Sequence, residues 1–373
     1  MKKIFNYAKE IGKKLWPIMK YGKYGHWRYL MAEDAVVEKI PVINQLYTKK
    51  ERKACFKRGF NSDKLVWYGK EKMNKGAYVT DYEHYVLFEA IDQKQYYVAD
   101  DKLVCERMMS PFCRVLPTLG YIVNGIYFPI GDDKEIKSYN DFVTHIDMGE
   151  EFCIKPNYGG SGRGIGMLAK RDGSYWWNDE KVEDLHKFIR SFTGGKGYLV
   201  QRRFKQSGFS HNYNPDTLNT IRIVTMLDPE THEPFVAWCF HRFGRKGNFV
   251  DNVAAGNMLC PIEPETGVMQ YGLLPPINGE LKKVDKHPDS HVQISGVKIP
   301  HWEEMKQFSF RLSMQVPFLP LCGWDIILSD DEFIMQELNY NPDIYPGQML
   351  YPLLEDRKAM KFYEYYKKQY MQG

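Results

Sequence analysis

Apolar and polar residues alternate along this chain in three different ways. In residues 2–16, Ile4, Ala8, Ile11 and Leu15 recur at helical spacing with lysines on the other faces, and Pro17 ends the pattern. From about 30 to 95 the apolar residues form short helical and mixed patches without a chemical motif. From about 101 onward, β-like runs (EFCIKP, GYLVQRRF, NTIRIVTML, PFVAWCFHRF, GWDIIL, EFIMQELN) are separated by Gly, Pro, Asn and Asp. Helical patterns lie among them at 102–112, 180–192 and 301–315. The pattern predicts an α+β fold with mostly antiparallel sheets. No internal repeat or low-complexity tract interrupts it.

Composition narrows the class. At 373 residues, 43% of them apolar, the chain is long enough for two or three packed units. No apolar run reaches the 18 residues of a membrane span. Lys and Arg number 51 against 47 Asp and Glu, so the surface as a whole is no nucleic-acid footprint. The cationic excess is local: residues 1–30 hold Lys2, Lys3, Lys9, Lys13, Lys14, Lys20, Lys23 and Arg28 against Glu10 alone. A basic amphipathic helix of this kind either lies on an anionic membrane or docks its apolar stripe on the protein body, and both readings stay open. Seven scattered cysteines without a CxxC fit a reducing compartment, and Lys13, Lys14 and Pro17 break any secretory apolar stretch. A cytoplasmic protein is expected.

Two segments carry chemistry. In Phe152-Cys-Ile-Lys155-Pro-Asn-Tyr-Gly159-Gly160-Ser161-Gly162-Arg-Gly164-Ile-Gly166, a β-run ends in lysine and five glycines follow within eight positions. Such a loop lets backbone N–H groups approach a polyphosphate, with the lysine as a point charge; the plainer reading is a hairpin turn. It matches neither a Walker A loop nor GxGxxG. The second segment, Gly323-Trp-Asp325 to Glu337-Leu-Asn339, reads as a hairpin around Asp330, Asp331 and Glu332. A turn centred on Asp331 places 325 opposite 337, and Glu337 and Asn339 share a face. Two carboxylates and an amide oxygen suit magnesium held jointly with phosphates, unless the hairpin is merely an exposed acidic turn.

In this order, the two segments resemble the ATP-grasp superfamily. Asp101-Lys102 opening a helix, Arg114-Val-Leu-Pro117-Thr, and Tyr198-Leu-Val-Gln201-Arg202-Arg203-Phe204 as the adenine hinge extend the likeness. Asn219-Thr-Ile-Arg222, Asp251-Asn252 and Gly323-Trp324-Asp325 further resemble the sugar-transfer-associated branch, linked to surface polysaccharide synthesis, over about 95 to 350. Two departures stand out. The often acidic hinge position is Gln201, and the usual Asn-x-x-Pro-Gly reads Asn339-Tyr-Asn341-Pro342-Asp343.

The resemblance implies two α+β subdomains with antiparallel sheets clamping ATP, here 101–200 and 201–373, after a basic segment at 1–30 and a smaller region at 31–100. It implies that Lys102 and Lys155 hold the α and β phosphates, the 159–166 loop covers the β and γ phosphates, and residues 201–204 meet the adenine. Asp325, Glu337 and Asn339 would bind Mg2+. Arg222 would stabilise an acyl-phosphate, a structural salt bridge being the alternative. His241, Arg242, Arg245 and Lys246 either bind an anionic substrate or form a solvated basic face. The implied reaction is ATP-dependent amide formation between a uronic-acid-type saccharide, or its lipid-linked precursor, and an amine such as an amino acid. A saccharide kinase and a non-catalytic nucleotide-binding partner of a glycosyltransferase are the alternatives.

Overall fold

The structure, a computed structural model, describes residues 43–91, 95–131, 133–160, 162–277 and 280–370. The amphipathic pattern at 2–16 and Ser161 lie outside these residues. The first described part is helical. Helix α1 (Lys49–Lys57) starts at a capping box between Thr48 and Glu51, which satisfies two otherwise unpaired backbone donors. Helix α2 spans Asp81–Ile91. Between them, Lys64 is buried with its ammonium 3.0 Å from both Asp63 and Asp81, beside a core of Cys55, Phe60, Leu65, Tyr68, Met73 and Tyr78. This region is fastened to the C-terminal part of the chain. Gln348 accepts from Val79 N at 2.8 Å and donates back to Val79 O at 2.9 Å. The His84 ring lies 2.9 Å from Pro342 O, and Tyr85 donates to Asp343.

After helix α3 (Lys102–Met109) the chain builds β1 (Gly120–Val123), β2 (Ile126–Pro129), helix α4 (Tyr139–Asp147), β3 (Phe152–Pro156), β4 (Gly166–Arg171), β5 (Ser174–Trp177), β6 (Glu180–Val182), helix α5 (Leu185–Arg190) and β7 (Gly197–Arg202). These strands form one antiparallel sheet in the order β2-β1-β7-β3-β4-β5-β6. Phe142 and Ile146 of α4 and Leu185 and Ile189 of α5 cover one face, packing on Phe152, Ile154, Leu168 and Val200. The segment 180–192, expected to be helical throughout, splits: Glu180–Val182 pairs with β5, and Asp184 caps a helix only from Leu185.

The second sheet takes β8 (Thr220–Leu227), β9 (Pro234–Phe243), β10 (Met258–Ile262), β11 (Gly272–Ile277), β12 (Glu280–Val284), β13 (Leu321–Ser329) and β14 (Glu332–Asn339), in the order β12-β11-β10-β9-β8-β13-β14. Helix α6 (Trp302–Ser313) covers one face, setting Trp302, Met305, Phe308 and Leu312 on Ile221, Ile223, Trp324 and Ile326. Helix α7 (Arg357–Tyr370) covers the other face only at one end, where Phe362 and Tyr363 meet Val224, Met226 and Trp238. The uncovered end of that face looks onto the first sheet, and the space between is the cleft. No described helix is long and apolar enough to cross a membrane.

Candidate active site

The cleft holds about 1030 Å³ of unfilled space, solvent at its mouth included, near the upper end for small-molecule sites. On its first wall, strand alternation turns Cys153 and Lys155 of β3 inward, while Phe152 and Ile154 face the core. Cys153 pairs with Gln201 on one side and Met167 on the other, so these three side chains form one row. Lys155 is only 9% exposed and forms no ion pair among the described residues. Lys102, the first residue of α3, donates to Gly159 O at 2.6 Å and pairs with Glu337 at 3.0 Å, joining the glycine loop to the opposite sheet. Asp101 caps α3 through Val104 N and also accepts from Tyr158 at 2.6 Å, so the helix start and the loop are one unit.

The loop reaches the far wall at one glycine. Gly162 has φ +71°, and a Cβ there would lie 2.7 Å from Asn252 Oδ1. For the nucleotide that the sequence resemblance implies, Gly162→Ala is expected to weaken binding about 5- to 30-fold, from a left-handed backbone cost of about 1–2 kcal/mol. Gly160→Ala, with open space around it, should bind as the parent does in calorimetric titration. Equal affinity for both variants would refute a closed loop at this position.

On the second wall, strand pairing sets Phe240, Arg222, Asp325 and Glu337 side by side across four strands. The turn pairs Ser329 with Glu332, a register that would put Glu337 opposite Trp324, on the core face. A bulge at Gln336 shifts the count by one residue and brings Glu337 opposite Asp325 on the cleft face. Asn339, two residues on, shares that face, and its amide nitrogen donates weakly to Gly323 O at 3.4 Å.

Asp325 is almost fully buried. Arg222 holds it through Nε to Oδ1 and through Nη2 to Oδ2 at 2.8 Å, and Arg242 Nη2 reaches Oδ2, also at 2.8 Å. Burial pushes its pKa up, but the two guanidinium groups outweigh burial and hold it below the ordinary carboxylate value. Asp251 accepts from Thr220 N at 2.9 Å and lies 3.3 Å from Arg242; there burial prevails, and its pKa is raised. Two bonds saturate Oδ2 of Asp325, whereas Oδ1 keeps one lone pair. No group of three or more His, Cys, Asp or Glu side chains suited to a metal occurs among the described residues. A metal here would draw on the Oδ1 lone pair, Glu337, the Asn339 amide oxygen and substrate phosphates.

The remaining expected residues separate. Gln201, Arg202, Arg203 and Phe204 line the cleft. However, the Arg202 guanidinium is taken by Glu150 and Asp133, and that of Arg203 by Glu151 at 2.7 Å, which leaves their charges turned to acids. Arg242 lies in the cleft, but His241, its neighbour on β9, points to the opposite face. His241 is fully buried, stacks on Phe243 at 4.1 Å and contacts Ser210 Oγ at 3.0 Å. Burial brings its pKa down to about 3. Placing His241 with Arg242 at the substrate is thus corrected by strand parity. Arg245 also leaves the cleft, because Asp289 binds its side chain at 2.7 and 3.0 Å, and Lys246, whose backbone N–H donates to Asp289, is exposed and does not line the cleft. Cys153, Met167 and Gln336, which the sequence reading passed over, line the cleft; the two-residue spacing of Cys153 from Lys155 was the available signal for the first.

Among solved structures, the chain is similar to N5-carboxyaminoimidazole ribonucleotide synthetase in its ADP complex, at 8% identity and a TM-score of 0.37, over 68% of this chain and 51% of that one. It therefore spans about half of that synthetase. It is also similar to the D-cycloserine synthetase DcsG, at 10% identity and a TM-score of 0.40 over 73% and 71% of the two chains. The VanG D-Ala:D-Ser ligase from Enterococcus faecalis gives 10% identity and a TM-score of 0.39 over 71% and 61%. These are loose likenesses, and the assignment rests on the family match instead. No curated protein matches the chain. The model of the sugar-transfer associated ATP-grasp family matches residues 82–357, and the chain belongs to that family.

Proposed function

We propose that this protein is an ATP-dependent ligase that joins a carboxylate, on a uronic-acid-type saccharide of surface polysaccharide synthesis, to an amine. The observation that supports the reading best is Lys155: an ammonium sunk in the cleft wall without a counter-charge among the described residues, facing a wall that carries Asp325 and Glu337. Lys155 and Lys102 hold the phosphates of ATP, with the glycine loop above them. Magnesium, when bound by Glu337, Asn339 and Asp325, neutralises phosphate charge. The substrate carboxylate attacks the γ phosphorus and ADP leaves. The amine then attacks the acyl carbon, phosphate departs with its oxygen, and the amine gives up a proton. Arg222 and Arg242 stabilise the anionic species formed beside them, and much of the rate comes from holding the reactants together.

The test supplies ATP, magnesium, an amino-acid panel and either uronic or neutral sugars, with mass analysis of products. The expected result is ADP, phosphate and an amide, formed only with uronic acids. A phosphorylated neutral sugar would make the protein a kinase, and ATP binding without consumption would make it an accessory protein. Glu337→Gln is expected to fold normally yet lose most of the thermal shift that magnesium-ATP gives the parent, which amounts to about 2.7 kcal/mol at 100 times Kd. An undiminished shift would remove Glu337 from the metal site.

A further inference from the structure

Lys102 occupies a position that helix energetics do not explain. It is the first residue of α3, where the partial positive charge of the helix start disfavours a cation. The chain nevertheless fixes it there from three sides. Its backbone N–H donates to Asn157 O at 3.2 Å, its ammonium donates to Gly159 O at 2.6 Å, and the same ammonium pairs with Glu337 at 3.0 Å. The two charged side chains are only 15% and 28% exposed, so solvent screens the pair incompletely. Glu337 reaches it through the bulge at Gln336, without which the strand register would turn its carboxylate to the core face. Lys155, by contrast, has no counter-charge among the described residues.

We infer that the Lys102–Glu337 pair is a latch across the cleft, whose opening makes the binding of phosphate and the binding of a divalent metal favour each other. The inference rests on the nucleotide reading given above, in which Lys102 holds phosphate and Glu337 holds magnesium. Neither side chain can meet that role fully while it holds the other. A metal-free polyphosphate drawn to Lys102 lies against the Glu337 carboxylate, and its attraction to the ammonium competes with an ion pair already made. A divalent cation drawn to Glu337 meets the Lys102 ammonium in the same way. When both arrive together, phosphate takes the lysine and metal takes the glutamate, so each ligand removes the obstacle to the other and the coupling is reciprocal. Lys155 stands outside the latch, as a phosphate contact that breaks no ion pair. Because Lys102 also holds Gly159 O, opening the latch frees the glycine loop at the point where it is tied to the second sheet.

The test is calorimetric binding of ATP to the full chain, once in EDTA and once with magnesium, independent of turnover. Glu337→Gln is expected to bind metal-free ATP about 5- to 20-fold more tightly than the parent, and magnesium-ATP less tightly. Opposite signs for one substitution separate a latch from a general loss of structure. Removing a carboxylate also relieves plain repulsion, and a second background measures that part. In Lys102→Met, which has no ammonium to release, the same glutamate substitution should improve metal-free binding by no more than about 3-fold. An equal gain in the two backgrounds would overturn the latch, as would an unchanged affinity of Glu337→Gln for metal-free ATP. Binding of neither form of ATP by the parent would instead overturn the nucleotide reading itself.

Discussion

Asp325→Ala is expected to lower stability by about 3–5 kcal/mol, the range for removing one partner of a buried ion pair. Arg242 retains Asp251, but Arg222, buried with its fork on Asp325, is left without a carboxylate. The cost thus falls mainly on Arg222, and replacing both residues should recover part of it. Arg222→Leu with Asp325→Ala should melt in urea at a higher midpoint than Asp325→Ala alone, since the leucine fills the place of the arginine stem without an unpaired charge. A single variant within about 1 kcal/mol of the parent would contradict this account.

Mild acid is the second condition with a large expected effect. His84 lies between Tyr363 Oη at 2.7 Å and Pro342 O at 2.9 Å, and His241 between Ser210 and the Arg242 carbonyl. Burial lowers both to about 3, against an ordinary 6.5. The unfolded chain therefore binds more protons than the folded one between these values, and stability falls as pH drops through that window. Each histidine contributes a slope that rises to about 1.4 kcal/mol per pH unit once the unfolded imidazole is protonated, so about 3 kcal/mol is lost between them from pH 6.5 to pH 5. Asp81 and Asp251, raised by burial, act in the opposite direction. The informative quantity is hence the difference in pH slope between the parent and His241→Phe. An identical slope in the two would show that His241 titrates normally in the folded state.

The opposition of Asp325 and Glu337 was legible because each carboxylate interrupts an apolar run, yet the route to it was inexact. A turn centred on Asp331 was expected, whereas the turn residues are Asp330 and Asp331, and the bulge at Gln336 supplies the missing step. Nothing in the local sequence marks that bulge, since Gln336 is an ordinary strand residue by composition. His241 is the reverse case. Alternation along β9 already assigns Phe240 and Arg242 to one face and Cys239 and His241 to the other, so parity alone separates the histidine from the cleft. The short strands β1, β2, β4, β5 and β6 escaped notice because they span three to six residues each, too few for periodicity to stand out.

The attachment of residues 77–85 to the C-terminal part has a consequence for how the protein can be divided. A cut at residue 82, where the family likeness begins, would separate Val79 from Gln348 and leave a buried amide without its backbone partners. It would also strip Leu65, Tyr68 and Tyr78 from the side of Tyr345 and take Ala77 O from Leu354 N. Such a fragment keeps every cleft residue but exposes an apolar flank beside the loop that leaves β14. A piece that folds as a unit is therefore expected to extend upstream of the portion that resembles its relatives, and trimming to the likeness should cost stability rather than leave a smaller working unit.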